Sequence, residues 1–95
     1  MKIYVHAIIT SKPEYNTEVK EALKELVQAT HQEDACILYD LHQDLDDGNR
    51  FLFYEIWESQ EGLDAHNGQP HIKKFRAFAQ GKLQEPAVVY RANKI

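Results

Sequence analysis

At 95 residues, 43% of them hydrophobic and 27% charged, the chain has the make-up of an ordinary globular protein, with room for a modest core. A net charge of −4 with no basic cluster argues against nucleic acid and anionic membranes as partners. The single cysteine, Cys36, excludes an internal disulfide, and no apolar run approaches the roughly 20 residues of a membrane span. The opening MKIYVHAIITSKPEY turns polar too early for a secretory leader, so residues 1–95 are read as one cytoplasmic domain.

Ile3 to Thr10 predicts a strand that is apolar on both faces, with Tyr4, His6 and Ile8 opposite Ile3, Val5, Ala7 and Ile9. His6 is read either as a pocket residue or as a core imidazole bonded to a backbone carbonyl. Ser11-Lys12-Pro13-Glu14 has the form of a helix start, with Ser11 as cap. The helix is expected from about Glu14 to Thr30. Val19, Ala22, Leu23, Leu26, Val27 and Thr30 form its apolar stripe, and Glu18, Lys20, Glu21, Lys24, Glu25 and Gln28 its solvated face. His31-Gln32-Glu33-Asp34 is read as a polar exit, with His31 near the last helical carbonyls.

Cys36 to Gln43 is the second strand, alternating Cys36, Leu38, Asp40 and His42 with Ile37, Tyr39 and Leu41. Asp44 to Asn49 is a hairpin loop; its aspartates lack the spacing and the closing glutamate of a calcium loop. Arg50 to Trp57 is the third strand. Phe51, Phe53 and Trp57 lie on one side and Tyr54 on the other, with the carboxylate of Glu55 among the rings. Ser59 caps a short helix to about His66, carrying Leu63 and Ala65, and Asn67-Gly68-Gln69-Pro70 breaks it. His71 opens a third helix, whose buried stripe is Ile72, Phe75, Phe78 and Ala79. Ala87 to Ala92 is the last strand.

This order, β-α-β-β-α-β with a split second helix, is that of an α+β ferredoxin-like fold: a four-stranded antiparallel sheet with helices on one face. The second sheet face is also apolar, so a homodimer packed face to face is expected.

No phosphate-binding glycine loop is present, and Cys36 has no partner motif for thiol chemistry. His66 and His71 stand too far apart, across a glycine and a proline, for a helical metal pair. No metal is expected there; zinc held by both together with Glu55 is the alternative. An apolar pocket with a few polar groups suits an aromatic ligand: Tyr39, Tyr54, Trp57 and Phe75 are candidates for shape, and Glu55 and His6 for polar contact. A pocket histidine, His66 or His71, can take a phenolic proton. Glu55 has a structural alternative, an ion pair with Arg50, Lys73 or Arg76.

The series Tyr54-Glu55-x-Trp57-Glu58-Ser59, Leu63-x-Ala65-His66 and Gln69-Pro70-His71 resembles the antibiotic biosynthesis monooxygenase (ABM) family. Members show an acidic residue, Trp-Glu-Ser, Ala-His and Thr-Pro-His in this order; here Gln69 replaces the threonine. The resemblance implies a dimeric α+β barrel. It also implies oxygenation of a quinol or polyphenol by dioxygen with no cofactor (no metal, flavin or haem), and His66 or His71 as the base. Haem-degrading relatives carry a tryptophan where this chain has His66 and a histidine where it has Arg76, so haem degradation is not implied. A relative that processes a phosphorylated dihydroxy-pentanedione resembles the same stretch. Lys73, Lys74 and Arg76 are then either phosphate ligands or a solvated helix face. A non-catalytic ligand-binding dimer is the third reading.

Overall fold

Two aromatic strands set the frame, and the sheet grows from their pairing. In the computed structural model, which describes all 95 residues, β1 (Ile3–Thr10), β2 (Cys36–Gln43), β3 (Arg50–Trp57) and β4 (Val88–Ala92) form one antiparallel sheet. Its order is β2-β3-β1-β4, and the three helices are α1 (Asn16–Thr30), α2 (Gln60–Asn67) and α3 (Pro70–Ala79). This is the ferredoxin-like α+β arrangement expected from the sequence.

Side chains alternate across each strand, so residues with odd numbers in β1 and β3 share a face. On that face Ile3, Val5, Ile9, Phe51, Phe53 and Trp57 are buried against Val19, Leu23 and Leu26 of α1, Leu63 of α2 and Ile72 of α3. Burial of this apolar surface is the main force holding helices to sheet, at about 25 cal/mol per Å². The opposite face carries Tyr4, Ile8, Leu52, Tyr54 and Ile56, all half-buried, and Tyr90, which is 60% exposed.

The structure corrects several local expectations. Ser11 does not cap α1. Its backbone is still extended and pairs with Leu83, its N–H donates to the Asn49 carbonyl, and its hydroxyl donates to Asn49 Oδ1 at 3.4 Å. The chain instead enters through a 3₁₀ turn, Pro13–Tyr15, and the α-helix starts at Asn16. In β2 a bulge between Cys36 and Leu38 brings Cys36 opposite Trp57, onto the same face as Tyr39, and turns Ile37 out. Strict alternation had paired Ile37 with Tyr39. In α2, Ala65 is exposed and His66 takes the buried position next to Leu63. The strand β4 begins at Val88, one residue later than expected.

The Asp44–Asn49 loop is a hairpin connection, as the sequence suggested. Asp44 accepts from Arg50 Nη1 at 2.8 Å and from the Asp46 N–H, and Asp47 accepts from the Asn49 N–H. No helix is long and apolar enough to cross a membrane.

Candidate active site

The last turn of α1 delivers the chain to a short loop, residues 31–35, that lies against the start of α2. Three backbone bonds fix this loop: Glu33 N–H to Thr30 O, Cys36 N–H to Glu33 O, and Glu58 N–H to Ala35 O, at 3.0, 3.1 and 3.0 Å. Gly62 lets α2 approach closely, since a Cβ there would lie 2.5 Å from the Ala35 Cβ. Ser59 caps α2 by accepting the Gly62 N–H at 3.1 Å, so the glycine sits in a fixed first turn.

This packing brings one carboxylate between two imidazoles. Glu33 Oε2 lies 2.7 Å from His66 Nδ1 and 2.7 Å from His71 Nε2. His66 sits on the buried face of α2. His71 stands in the first turn of α3, just beyond the Asn67–Gln69 turn. Side-chain exposure is 4% for His66, 22% for His71 and 10% for Glu33. A carboxylic acid has one proton, so it cannot donate to both rings; with Glu33 ionised, both rings donate to it. The neutral rings are then fixed as the Nδ1–H tautomer of His66 and the Nε2–H tautomer of His71.

Aromatic rings wall the buried end of this cluster. His66 lies 4.5 Å from Trp57 and 5.5 Å from Tyr39, centroid to centroid, and the Tyr39 contact is edge-on. Behind them Glu55 accepts the Trp57 indole N–H at 2.8 Å, locking the indole. Burial pushes the Glu55 carboxyl up to about 7, with the Glu33 charge adding and the indole bond opposing. Burial also raises the Tyr39 phenol, with Glu55 adding to it. Burial holds His66 below the usual imidazole range, while its bond to Glu33 pulls the other way. The Cys36 thiol is pushed up to about 11 by burial and by the two glutamates, which makes it a poor nucleophile.

On its other side His71 lines a groove of about 320 Å³ between α1 and α3. Leu26, Ala29, Phe75 and Phe78 supply its apolar wall, and Glu18, Glu21, Glu25 and Lys74 its charged residues. This is a volume suited to a small aromatic molecule.

Of the residues singled out from the sequence, the structure gathers His66, His71, Trp57, Tyr39 and Glu55 in one cluster and sets Phe75 beside His71 in the groove; Trp57, Tyr39 and Glu55, expected as substrate contacts, are buried behind His66 and do not line the groove. His6 and Tyr54 join neither. These two stack on each other at 5.1 Å on the opposite sheet face, where His6 is exposed. The structure also supplies neither the buried carbonyl partner considered for His6 nor an ion pair for Glu55. Arg50 pairs with Asp44 and Asp47, and Arg76 donates to the Asn67 carbonyl and Oδ1. His31 does not turn back to its helix; its Nε2–H donates to the Tyr39 carbonyl at 3.0 Å.

Glu33 is the residue that sequence reasoning passed over. The signal lay in the β2–β3 register. With Cys36 opposite Trp57, whatever precedes Cys36 must lie beside whatever follows Trp57, which is α2 and its histidine.

Comparison with known proteins gives a consistent picture. Residues 2–77 match the family model described as antibiotic biosynthesis monooxygenase. The chain is 32% identical over 87 residues to "Putative monooxygenase Rv0793" of Mycobacterium tuberculosis, covering 92% of this chain and 85% of that one. The solved structure of Rv0793 superposes with a TM-score of 0.94, covering 100% of this chain and 96% of that one. This chain is also 30% identical over 89 residues to "Putative monooxygenase YcnE" of Bacillus subtilis, covering 94% of each. A match to the uncharacterized protein sll1783 of Synechocystis, at 29% identity, spans 92% of this chain but 59% of that protein.

Proposed function

The chain belongs to the antibiotic biosynthesis monooxygenase family, and from that premise we propose that it oxidises a quinol- or polyphenol-type small molecule with dioxygen, using His71 as base. The observation that carries this reading is the pair of imidazoles held on one carboxylate oxygen beside an apolar groove. Of the two, His71 lines the groove and His66 is sealed behind it. His71 is the proton acceptor, and its free lone pair is on Nδ1 because Nε2–H is bound to Glu33. Glu33 fixes the tautomer and stabilises the imidazolium that forms, as a carboxylate does behind a catalytic histidine. His66, kept neutral by burial, holds Glu33 in place.

Deprotonation gives a hydroquinone anion, which passes one electron to dioxygen. The semiquinone and superoxide then join at a ring carbon, and loss of water leaves a hydroxyquinone. One oxygen atom enters the product and the other leaves as water: hydroquinone and O₂ give hydroxyquinone and H₂O. The electrons come from the substrate, so this reading requires no metal, flavin or haem. The protein's part is an apolar site and a placed base. Residues 1–95 act as one domain in this account. Its half-buried Tyr4, Ile8, Leu52, Tyr54 and Ile56, with the exposed Tyr90, form a sheet face for the second copy of a homodimer, and His6 and Tyr54 would lie at that interface.

A phosphorylated substrate fits less well. Lys73 and Lys74 are exposed, Arg76 is tied to Asn67, and Lys74 shares the groove with three glutamates.

The test is oxygen uptake by metal-stripped protein over a panel of hydroquinones, each against its own autoxidation blank. Uptake that falls about 100-fold or more in His71→Ala, with folding intact, is the expected result. Uptake unchanged in His71→Ala would remove the base from this account.

A further inference from the structure

We propose that Glu33, His66 and His71 also form a binding site for a divalent transition-metal ion, which when filled takes the base out of use. The metal site rests on the geometry of the cluster alone; its effect on the base rests on the function proposed above.

Two imidazole nitrogens and one carboxylate oxygen make the donor set of three-ligand metal sites that keep an open position. Here the three donor atoms all lie within 4.8 Å of one another. Metal–ligand distances of about 2.0–2.2 Å place such donors about 3.0–3.5 Å apart. The Glu33 bonds of 2.7 Å are shorter than that, so the carboxylate would draw back by less than about 1 Å from each ring, while the two ring nitrogens, which stand within 4.8 Å of each other, would close by up to about 1–2 Å as His71 turns in from its more open side. A carboxylate can do this by rotating about its last torsion. Each imidazole would ligate through the atom that now carries its proton, and that proton would pass to the ring's other nitrogen. The exchange is a change of tautomer, with no proton lost from a neutral ring.

Access and selectivity follow from the surroundings. Glu33 and His66 are nearly sealed, and His71, at 22% exposure, marks the side from which an ion and its remaining water ligands would come. Two nitrogen donors favour zinc, cobalt or nickel over magnesium and calcium, which prefer all-oxygen sites. Asp44 and Asp47 both pair with Arg50, and Glu18, Glu21 and Glu25 in the groove bring no nitrogen donor of their own.

The experiment is a cobalt(II) titration of the intact chain followed by visible absorption, with excess magnesium present to fill all-carboxylate sites and without any substrate. The expected result is one-to-one binding in the micromolar range that zinc displaces. It should weaken on the order of 100-fold in Glu33→Gln and in His71→Asn, and remain in Asp47→Asn. Glu33→Gln is isosteric and keeps the test open should His71→Asn fold poorly. Zinc should then suppress any oxygen uptake. Binding no tighter than millimolar, or binding that survives both Glu33→Gln and His71→Asn, overturns the proposal. Because the titration uses no substrate, a failure here is separate from a failure of the quinol reading.

Discussion

Replacing Glu55 by glutamine should make the protein more stable at pH 8 and leave it nearly unchanged at pH 4. Glutamine keeps the size of the side chain and an oxygen to accept the Trp57 indole N–H at 2.8 Å. What it removes is the titration. Burial moves the folded-state carboxyl from 4.5 up to about 7. In the unfolded chain it ionises near 4.5. Between those values the folded state holds a proton that the unfolded state has released, so stability falls as pH rises through this window. Below 4.5 both states are protonated and the residue contributes nothing. Above 7 both are ionised, and the folded state carries the full cost of a buried carboxylate, about 3 kcal/mol. Urea unfolding of both proteins at pH 4, 5, 6, 7 and 8 measures this directly. The stability of Glu55→Gln relative to the parent should climb across the window to about 2–3 kcal/mol and then level off. His66 contributes with the opposite sign, losing stability as pH falls below about 6.5, but it is present in both proteins and drops out of the difference. A difference independent of pH would refute the claim that this carboxyl is buried neutral.

Further expected outcomes concern the same neighbourhood. Glu33→Gln should cost about 2 kcal/mol in urea unfolding, because one buried and one half-buried ring N–H lose a charged acceptor at 2.7 Å. Gly62→Ala should destabilise, by about 1–3 kcal/mol, although alanine is the better helix former; its Cβ would meet Ala35 at 2.5 Å and push the Glu33 loop away from α2. Circular dichroism and thermal unfolding read this, and an unchanged or raised Tm would show that the loop yields freely. Cys36 should react with a disulfide reagent at pH 8 on the order of 100-fold more slowly than a free thiol, and at the ordinary rate once unfolded.

The fold was legible because its signals are periodic. The stripe from Val19 to Thr30 and the aromatic alternation of Phe51 to Trp57 each commit a face, and those faces leave few ways to assemble. Ser59 was legible as a cap for the same reason: the chemistry of a helix start is local. What escaped is non-local or breaks the period. One bulge after Cys36 reverses which of its neighbours faces the core, and nothing in CILYDLHQ marks it. Glu33 sits 33 residues before His66 and 38 before His71 and looks like any polar residue at a helix exit. Tyr54 and His6 failed differently. Aromatic and polar character selected them, but strand parity had already placed both on the far side of the sheet from Glu55 and Trp57, where they pair across β1 and β3.

The account stands on both imidazoles donating to a single oxygen of Glu33, and nitrogen-15 NMR of the histidine rings near neutral pH tests that most directly. It predicts His66 protonated on Nδ1 and His71 on Nε2, with both N–H signals shifted or lost in Glu33→Gln. Finding either ring with its proton on the other nitrogen, or both signals unmoved by the substitution, would contradict it.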